Sequence, residues 1–541
     1  MNLERHHRNY DLHSWSGLAL GLFIFVVCFT GCLALFDAEL HAWEDPAKRM
    51  AVPEQPAPMD ATFTEWISEQ LGEDGKAEFI NFTFPTAYQP YYTAYMNFET
   101  PNADGGHDHT AVQQSWNAAT GAPFEERGDG LSAWLRDFHR DLMWPAKLGG
   151  RSVGRGLVGI AGVILLLSIV SGVVAHTKIM PELFTLRFFR SMRLKWQDTH
   201  KVLGLWGLPF YTMIAVTGAI IGVVTLLAPV IAVLTFKGDT EALFEAVIGA
   251  PLEASGRPAN MLSVDDIRGF TSDATNEPAW YVVANNWGDE NARFDVYFQS
   301  TSQLKIVDGY QISGVTGERI PDSQFENVTA GSRTSQAVTP LHYGTYGGIV
   351  LKFVYFALGL SLAVITALGM MMWVERRLYG NAGKRSPRVY KALSKLTVGV
   401  TCGLPLASAF IFYADKLVPI APDARITMIG QAYFACWAVG ILHACVRGND
   451  YQAAKELLYV TAAMVVGLPF LNATVTGEFF VAHLTTASSV SALTDLTALI
   501  FGLLMLLAVW SLPDARKEKQ ARRSENRDTV AADDASLMAA E

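Results

Sequence analysis

Charge is scarce in this chain: Asp, Glu, Lys and Arg make up only 17% of its 541 residues, and they sum to a formal −10 at neutral pH. So little charge cannot solvate a single large globule, and an acidic balance argues against nucleic acid as a partner. Cysteine is scarcer still, and Cys28, Cys32, Cys402, Cys436 and Cys445 all lie inside or at the end of apolar runs, which excludes a disulfide framework in the polar parts. No CxxC or CxxCH occurs, so neither a thioredoxin-type centre nor covalently attached c-type haem is expected. A glycine-rich dinucleotide fingerprint is missing as well. The loops on the basic side of the apolar runs, at most about 25 residues long, are too short to build a Rossmann domain. No flavin or NAD site is therefore expected in the chain.

What is present is apolar: half of all residues, gathered in eight runs at about 14–36, 153–176, 200–236, 346–374, 397–415, 426–446, 457–476 and 490–512. Each is long enough to cross a bilayer as a helix. Basic residues crowd the N-terminal segment, the loop from Lys178 to Lys201, the loop from Lys384 to Lys395 and the stretch Arg516 to Arg523. By the positive-inside rule these are cytoplasmic, so both termini are expected there. The first run is read as a retained helix and not as a signal peptide, because its motif recurs in mid-chain. Between the runs lie two polar segments on the external side. Phe79–Phe84 and Tyr91–Phe98 in one, and Trp280–Ala284 and Arg293–Phe298 in the other, alternate like hairpin strands.

The expected organisation is thus an α-helical transmembrane bundle of eight spans with two α+β external modules. Residues 1–36 hold the N-terminus and first span, 37–152 the first module, and 153–236 the second span, basic loop and third span. Residues 237–345 hold the second module, 346–376 the fourth span, 390–513 a further four-helix block and 514–541 a disordered cytoplasmic tail.

One motif is used twice. His13, Gly17, Thr30 and Gly31 have counterparts at identical spacing in His200, Gly204, Thr217 and Gly218. Eighteen residues make five helical turns, so each His and its distant Gly are expected on one helix face roughly 27 Å apart. Together with His139 and His342, which precede the second and fourth spans, this predicts that the first four spans are an internal two-fold repeat. The repeat pairs His13 with His200 on the cytoplasmic side and His139 with His342 on the external side. Two imidazoles facing each other at one depth can be the axial ligands of a haem, with Gly17, Gly31, Gly204 and Gly218 allowing close approach. His176, without a counterpart in the fourth span, is an alternative inner ligand. His107 and His109 form a loop HxH of weak metal-binding character, and His443 and His483 are read as structural or interfacial.

These motifs, the strand and turn pattern of the external segments, and the Phe138-His139 and Leu341-His342 pairs resemble the PepSY-associated transmembrane proteins of bacterial inner membranes, over roughly residues 5–380. Members of that family include ferrisiderophore reductases. The resemblance implies PepSY-like periplasmic modules, two noncovalent b-type haems on His13, His200, His139 and His342, and electron transfer across the inner membrane to a ferric siderophore or other iron chelate in the periplasm. The donor would be a cytoplasmic reductase, a flavin, NAD(P)H or membrane quinol. The chain departs from the family's minimal four-helix form in its last four spans. Alternative readings are a haem-free PepSY protein with a regulatory, binding or transport role, and an electron carrier for another periplasmic acceptor.

Overall fold

The computed structural model describes residues 3–71, 77–101, 107–126, 130–176, 178–185, 187, 192–239, 242–243, 253–273, 275–299, 304, 308–321, 330–378, 386–419, 424–477, 479–484 and 489–512. The tail expected to be disordered, 514–541, lies outside the described residues. Eight of the described helices are long and apolar enough to cross a membrane, and the chain is a multi-pass helical membrane protein.

The N-terminal part carries α1 (Leu3–Ala34), α2 (Asp37–Glu44), α3 (Asp60–Leu71), α4 (Leu131–Asp141) and α5 (Gly150–Ala175). Then come the short α6 (Ile179–Glu182), α7 (Met192–Trp206), α8 (Leu208–Thr235), α9 (Val264–Arg268), α10 (Ala330–Tyr343) and α11 (Gly348–Leu378). The last four are α12 (Pro387–Leu417), α13 (Arg425–Val446), α14 (Asp450–Thr476) and α15 (Ser489–Ser511).

The strands are β1 (Ala77–Thr83), β2 (Tyr91–Pro101), β3 (His107–Asn117), β4 (Pro123–Phe124), β5 (Ala279–Asn285), β6 (Arg293–Phe298) and β7 (Asp308–Ser313). The alternating stretches of the sequence fall on β1, β2, β5 and β6. They do not form two separate bodies: the order β4-β3-β2-β1-β5-β6-β7 makes one antiparallel sheet. Its seam is the β1–β5 pair, in which Ile80 faces Ala284 and Phe82 faces Val282. One sheet face carries Ile80, Phe82, Met96, Val282, Phe294 and Val296, which pack under Phe63 and Trp66 of α3 and Ile267 of α9. The two helices cap each other: Asp265 accepts from the backbone N–H groups of Met59 and Asp60, and Asp60 accepts from that of Val264. Those bonds satisfy donors a helix start leaves open and tie the two halves of the sheet together.

The sheet follows α1 and α8 and precedes α5 and α11, so it sits at one end of the bundle; that end is called the sheet side here, and the other the far side. α5 and α8 cross at Gly159 and Gly222, where a methyl on Gly159 would lie 2.6 Å from the backbone nitrogen of Val223. Glycine is required there because the two backbones touch.

The third apolar run departs from expectation. It is not one span from 200 to 236 with His200 and Gly218 on a single helix: α7 ends at Trp206 and α8 begins at Leu208. Pro209, in the first turn of α8, has no N–H to give and its ring blocks the carbonyl one turn back, so the helix restarts after Gly207. In the first copy α1 runs unbroken through both His13 and Gly31.

The four C-terminal helices pack against α1, α2, α4 and α11. Trp134 and Phe138 of α4 pack against Tyr433 and Phe434 of α13, mostly edge to face, with the Trp134 and Tyr433 ring centres 4.6 Å apart.

Candidate functional site

Four histidines from four helices meet in two pairs. On the far side His13 of α1 faces His200 of α7 with ring centres 6.1 Å apart and planes at 73°. On the sheet side His139 of α4 faces His342 of α10 at 6.3 Å and 18°. With a metal–imidazole bond of about 2 Å and a ring centre roughly 1 Å behind its nitrogen, two rings sandwiching one metal have centres about 6 Å apart. Both pairs stand at that separation.

The orientation of each ring follows from a hydrogen bond on its inward nitrogen. Nδ1 of His13 lies 2.8 Å from the carbonyl of Ser168, that of His139 3.0 Å from the carbonyl of Val27, and that of His200 2.9 Å from the carbonyl of Ile365. A carbonyl only accepts, so these three rings carry their proton on Nδ1. Nδ1 of His342 lies 3.0 Å from the hydroxyl of Thr217, which itself donates to the carbonyl of Met213 and so accepts from the histidine. All four are left with a lone pair on Nε2, the arrangement of a metal-binding imidazole held from behind.

Each ring also lies over a glycine. A methyl on Gly31 would come within 2.8 Å of Cε1 of His139, and one on Gly218 within 3.0 Å of Cε1 of His342. A methyl on Gly172 would likewise lie 2.9 Å from Cε1 of His13, and one on Gly369 3.2 Å from that of His200. Gly31 and Gly218 thus make room for the sheet-side imidazoles themselves. Gly172 and Gly369 were not singled out from the sequence; their only signal is that each is a glycine near the far-side end of a span. Gly17 and Gly204 do something different: a methyl on either would meet nothing within 4 Å, because both open onto the far-side cavity.

That cavity measures about 520 Å³ and is lined by His13, His200 and His176, with Arg376, Arg377 and Lys201 at its polar end. Its size is that of a pocket for a large ligand. The sheet-side cavity, about 130 Å³, is lined by His139, His342, Tyr343, Tyr355 and Arg155, so side chains there must turn aside to seat a group as large as a porphyrin. Ile24, Leu165 and Leu362 line both cavities, so the wall between them is one layer of apolar side chains.

His176 caps the end of α5 at the rim of the far-side cavity, 3.6 Å from Glu182, and does not join the His13–His200 pair. His443 is bonded to Glu456 at 2.8 Å, away from both cavities. The side chains of His107, His109 and His483 lie outside the described residues. Beside His200 on α7, Asp198 is buried and accepts three bonds from Arg187, whose guanidinium and backbone N–H hold the carboxyl down to about 2. This ion pair pins the preceding loop to the helix that carries His200.

The model of the PepSY-associated TM region matches residues 10–376, a stretch that takes in both histidine pairs and the sheet and ends with α11. An uncharacterised protein of Pseudomonas aeruginosa is 28% identical over 387 residues, covering 66% of this chain and 90% of that protein. On the extent of the family match, this chain belongs to the PepSY-associated transmembrane family.

Proposed function

We propose that each histidine pair binds one noncovalent b-type haem and that the protein passes electrons from the cytoplasmic side of a bacterial inner membrane to a periplasmic acceptor, reducing ferric iron held in siderophores or other chelates. The observation that carries this reading is that all four imidazoles are tethered through Nδ1 and face one another in pairs about 6 Å apart. When bound, the haems supply reversible one-electron chemistry at iron. The family membership supports a redox membrane protein in general terms; the ferric-chelate substrate is our inference.

In this proposal the first four spans are two copies of one helical hairpin, in which His13, Gly31 and Gly172 correspond to His200, Gly218 and Gly369. The carbonyls of Ser168, Val27 and Ile365 and the hydroxyl of Thr217 keep each Nε2 lone pair free and raise its basicity. Gly17 and Gly204 leave the far-side cavity open to the flat faces of a tetrapyrrole. Ile24, Leu165 and Leu362 keep water out of the partition while holding it one side chain thick, so electrons cross it without a bond being made or broken.

In this proposal the far side faces the cytoplasm and the sheet the periplasm, a reading that the positive-inside rule supports through the basic loops. The cations at the far-side opening suit an anionic donor, such as a soluble flavin or NAD(P)H, or a docked reductase; quinol from the bilayer is the other source. Fe(II) is held more weakly than Fe(III) by hard oxygen ligands, so reduction also releases the metal.

The test is an optical spectrum and haem-to-protein ratio of the detergent-purified protein, oxidised and dithionite-reduced. Two haems per chain with sharp α and β bands are expected, falling towards one in His13→Ala and in His342→Ala. A colourless wild type would overturn the proposal.

A further inference from the structure

The cations around the sheet-side pair are matched by carboxylates, with one exception. Arg136 pairs with Asp37 at 3.2 Å, Arg140 with Asp137 at 2.8 Å, Arg151 with Asp137 at 2.8 Å, and Lys352 with Glu39 at 2.7 Å. Arg155 has no such partner among the described residues. It lies in the second turn of the membrane-spanning α5 and lines the sheet-side cavity with His139 and His342. Its Nε is buried with no hydrogen bond. An uncompensated guanidinium inside a membrane span is costly and marks a functional position, because a single substitution to an apolar residue would remove the cost.

The position is also held rigid. α5 and α8 touch backbone to backbone one turn further on, and a methyl on Gly222 would lie 2.6 Å from the carbonyl of Arg155 itself. The helix therefore cannot rotate to carry the side chain into the headgroups. Arg155 as a whole is half-buried, but its orphaned Nε is buried at the cavity wall, where a group entering the cavity can meet it.

We infer that Arg155 is an anion anchor, whose guanidinium takes a carboxylate of the molecule occupying the sheet-side cavity. The planar fork matches a carboxylate in two parallel N–H···O bonds, and burial strengthens them. Two sources share this chemistry: a propionate of the sheet-side haem, in which case the inference rests on the cofactor reading above, or a carboxylate of the incoming ferric chelate.

The test uses the full-length protein with Arg155→Gln and Arg155→Lys. Haem content, the reduction potential of each haem, and kinetics with ferric citrate and with an uncharged ferric trihydroxamate are compared with wild type. If the cofactor is the source, Arg155→Gln weakens sheet-side haem binding by about tenfold and shifts that potential alone, while KM for both chelates is unchanged. If the chelate is the source, haem content and both potentials stay at wild-type values and KM for ferric citrate alone rises by about tenfold. In either case Arg155→Lys, which keeps the charge but not the fork, falls between; it carries the test if Arg155→Gln does not assemble. Wild-type haem content, potentials and KM in both variants would overturn the inference. Failure of the cofactor reading looks different, since wild type is then itself colourless. Calorimetric titration with ferric citrate then decides: binding that Arg155→Gln abolishes upholds the anchor, and binding that is absent or unaltered overturns it.

Discussion

The two histidine pairs are built to one plan and finished differently. Both have rings about 6 Å apart, tethered through Nδ1 and laid over glycines. The far-side pair opens onto a cavity of about 520 Å³, its rings are crossed at 73°, and both its tethers are backbone carbonyls. The sheet-side pair borders only about 130 Å³, its rings are nearly parallel, and one tether is the side chain of Thr217. Ring orientation is therefore set mainly by the backbone on the far side and partly by a replaceable hydroxyl on the sheet side.

The surroundings differ as well. His139 stands on α4, which is clamped between the family-matched bundle and the C-terminal helices. Trp134 and Phe138 pack against Tyr433 and Phe434, and Glu44 accepts from the backbone N–H and hydroxyl of Ser132 at 2.9 and 3.0 Å. Asp415, Lys416 and Arg425 of the C-terminal helices are buried close by, Arg425 bonded to Asp415 at 2.7 Å and Lys416 to the carbonyl of Glu44 at 2.6 Å. The far-side pair has no comparable brace among these contacts. The C-terminal helices, beyond the family match, thus brace the helix that carries His139 directly, whereas on the far side they reach only the cavity wall, where Tyr390 meets Trp373 at 6.3 Å.

On the proposed two-haem reading, the comparison breaks most sharply by removing one of the four histidines. His342→Ala should abolish the sheet-side haem and leave the far-side spectrum intact, and His13→Ala should do the reverse; loss of both haems from either variant would show that the sites are not independent. Gly31→Ala comes next, because its methyl must push the His139 ring by overpacking, at about 1–3 kcal/mol. The expected result is loss of sheet-side haem with the far-side haem retained, read from the haem-to-protein ratio; Gly172→Ala should show the opposite selectivity.

Thr217→Val sharpens the contrast between tethers. It removes the acceptor of His342 and should weaken sheet-side binding by about 10- to 100-fold, measured by haem titration of the apoprotein. No side-chain substitution can do the same at Ser168 or Ile365, where the acceptor is a carbonyl. Tyr433→Leu should act more gently, loosening α4 and shifting only the sheet-side potential in a redox titration.

The smallest effect concerns acid. Asp198 titrates at about 2 in the folded chain against an ordinary 3.8. A carboxyl with a depressed pKa contributes its stability above its unfolded value and loses it as the pH falls through the folded one. The Arg187–Asp198 pin should therefore hold at neutral pH and be stripped between about 4 and 2, loosening the far-side pair first. Far-side absorbance followed during acid titration checks this, and Asp198→Asn should show the loosened state already at neutral pH.

Much of the architecture could be read from residue order because it rests on local rules. Eight apolar runs of spanning length, and strands alternating at Phe79–Phe84 and Arg293–Phe298, are signals a few residues long. The break after Gly207 was equally local, and Pro209 was its visible cause, but the matching spacing of the two motifs favoured a continuous helix. The role of Gly31 changed for a different reason: whether a glycine makes room for a ring or for a cofactor depends on what faces it.

The sequence by itself determined which segments enter the membrane, which histidines stand beside the spans and how glycine is spaced from His13 and His200, since hydropathy and helical periodicity act along the chain. Only the tertiary structure decided that β1 pairs with β5 to make one sheet, that Gly172 and Gly369 stand behind His13 and His200, and that Arg155 has no carboxylate partner among the described residues. These depend on contacts between residues far apart in sequence, where shape complementarity and the matching of charge in a low-dielectric interior select the partner.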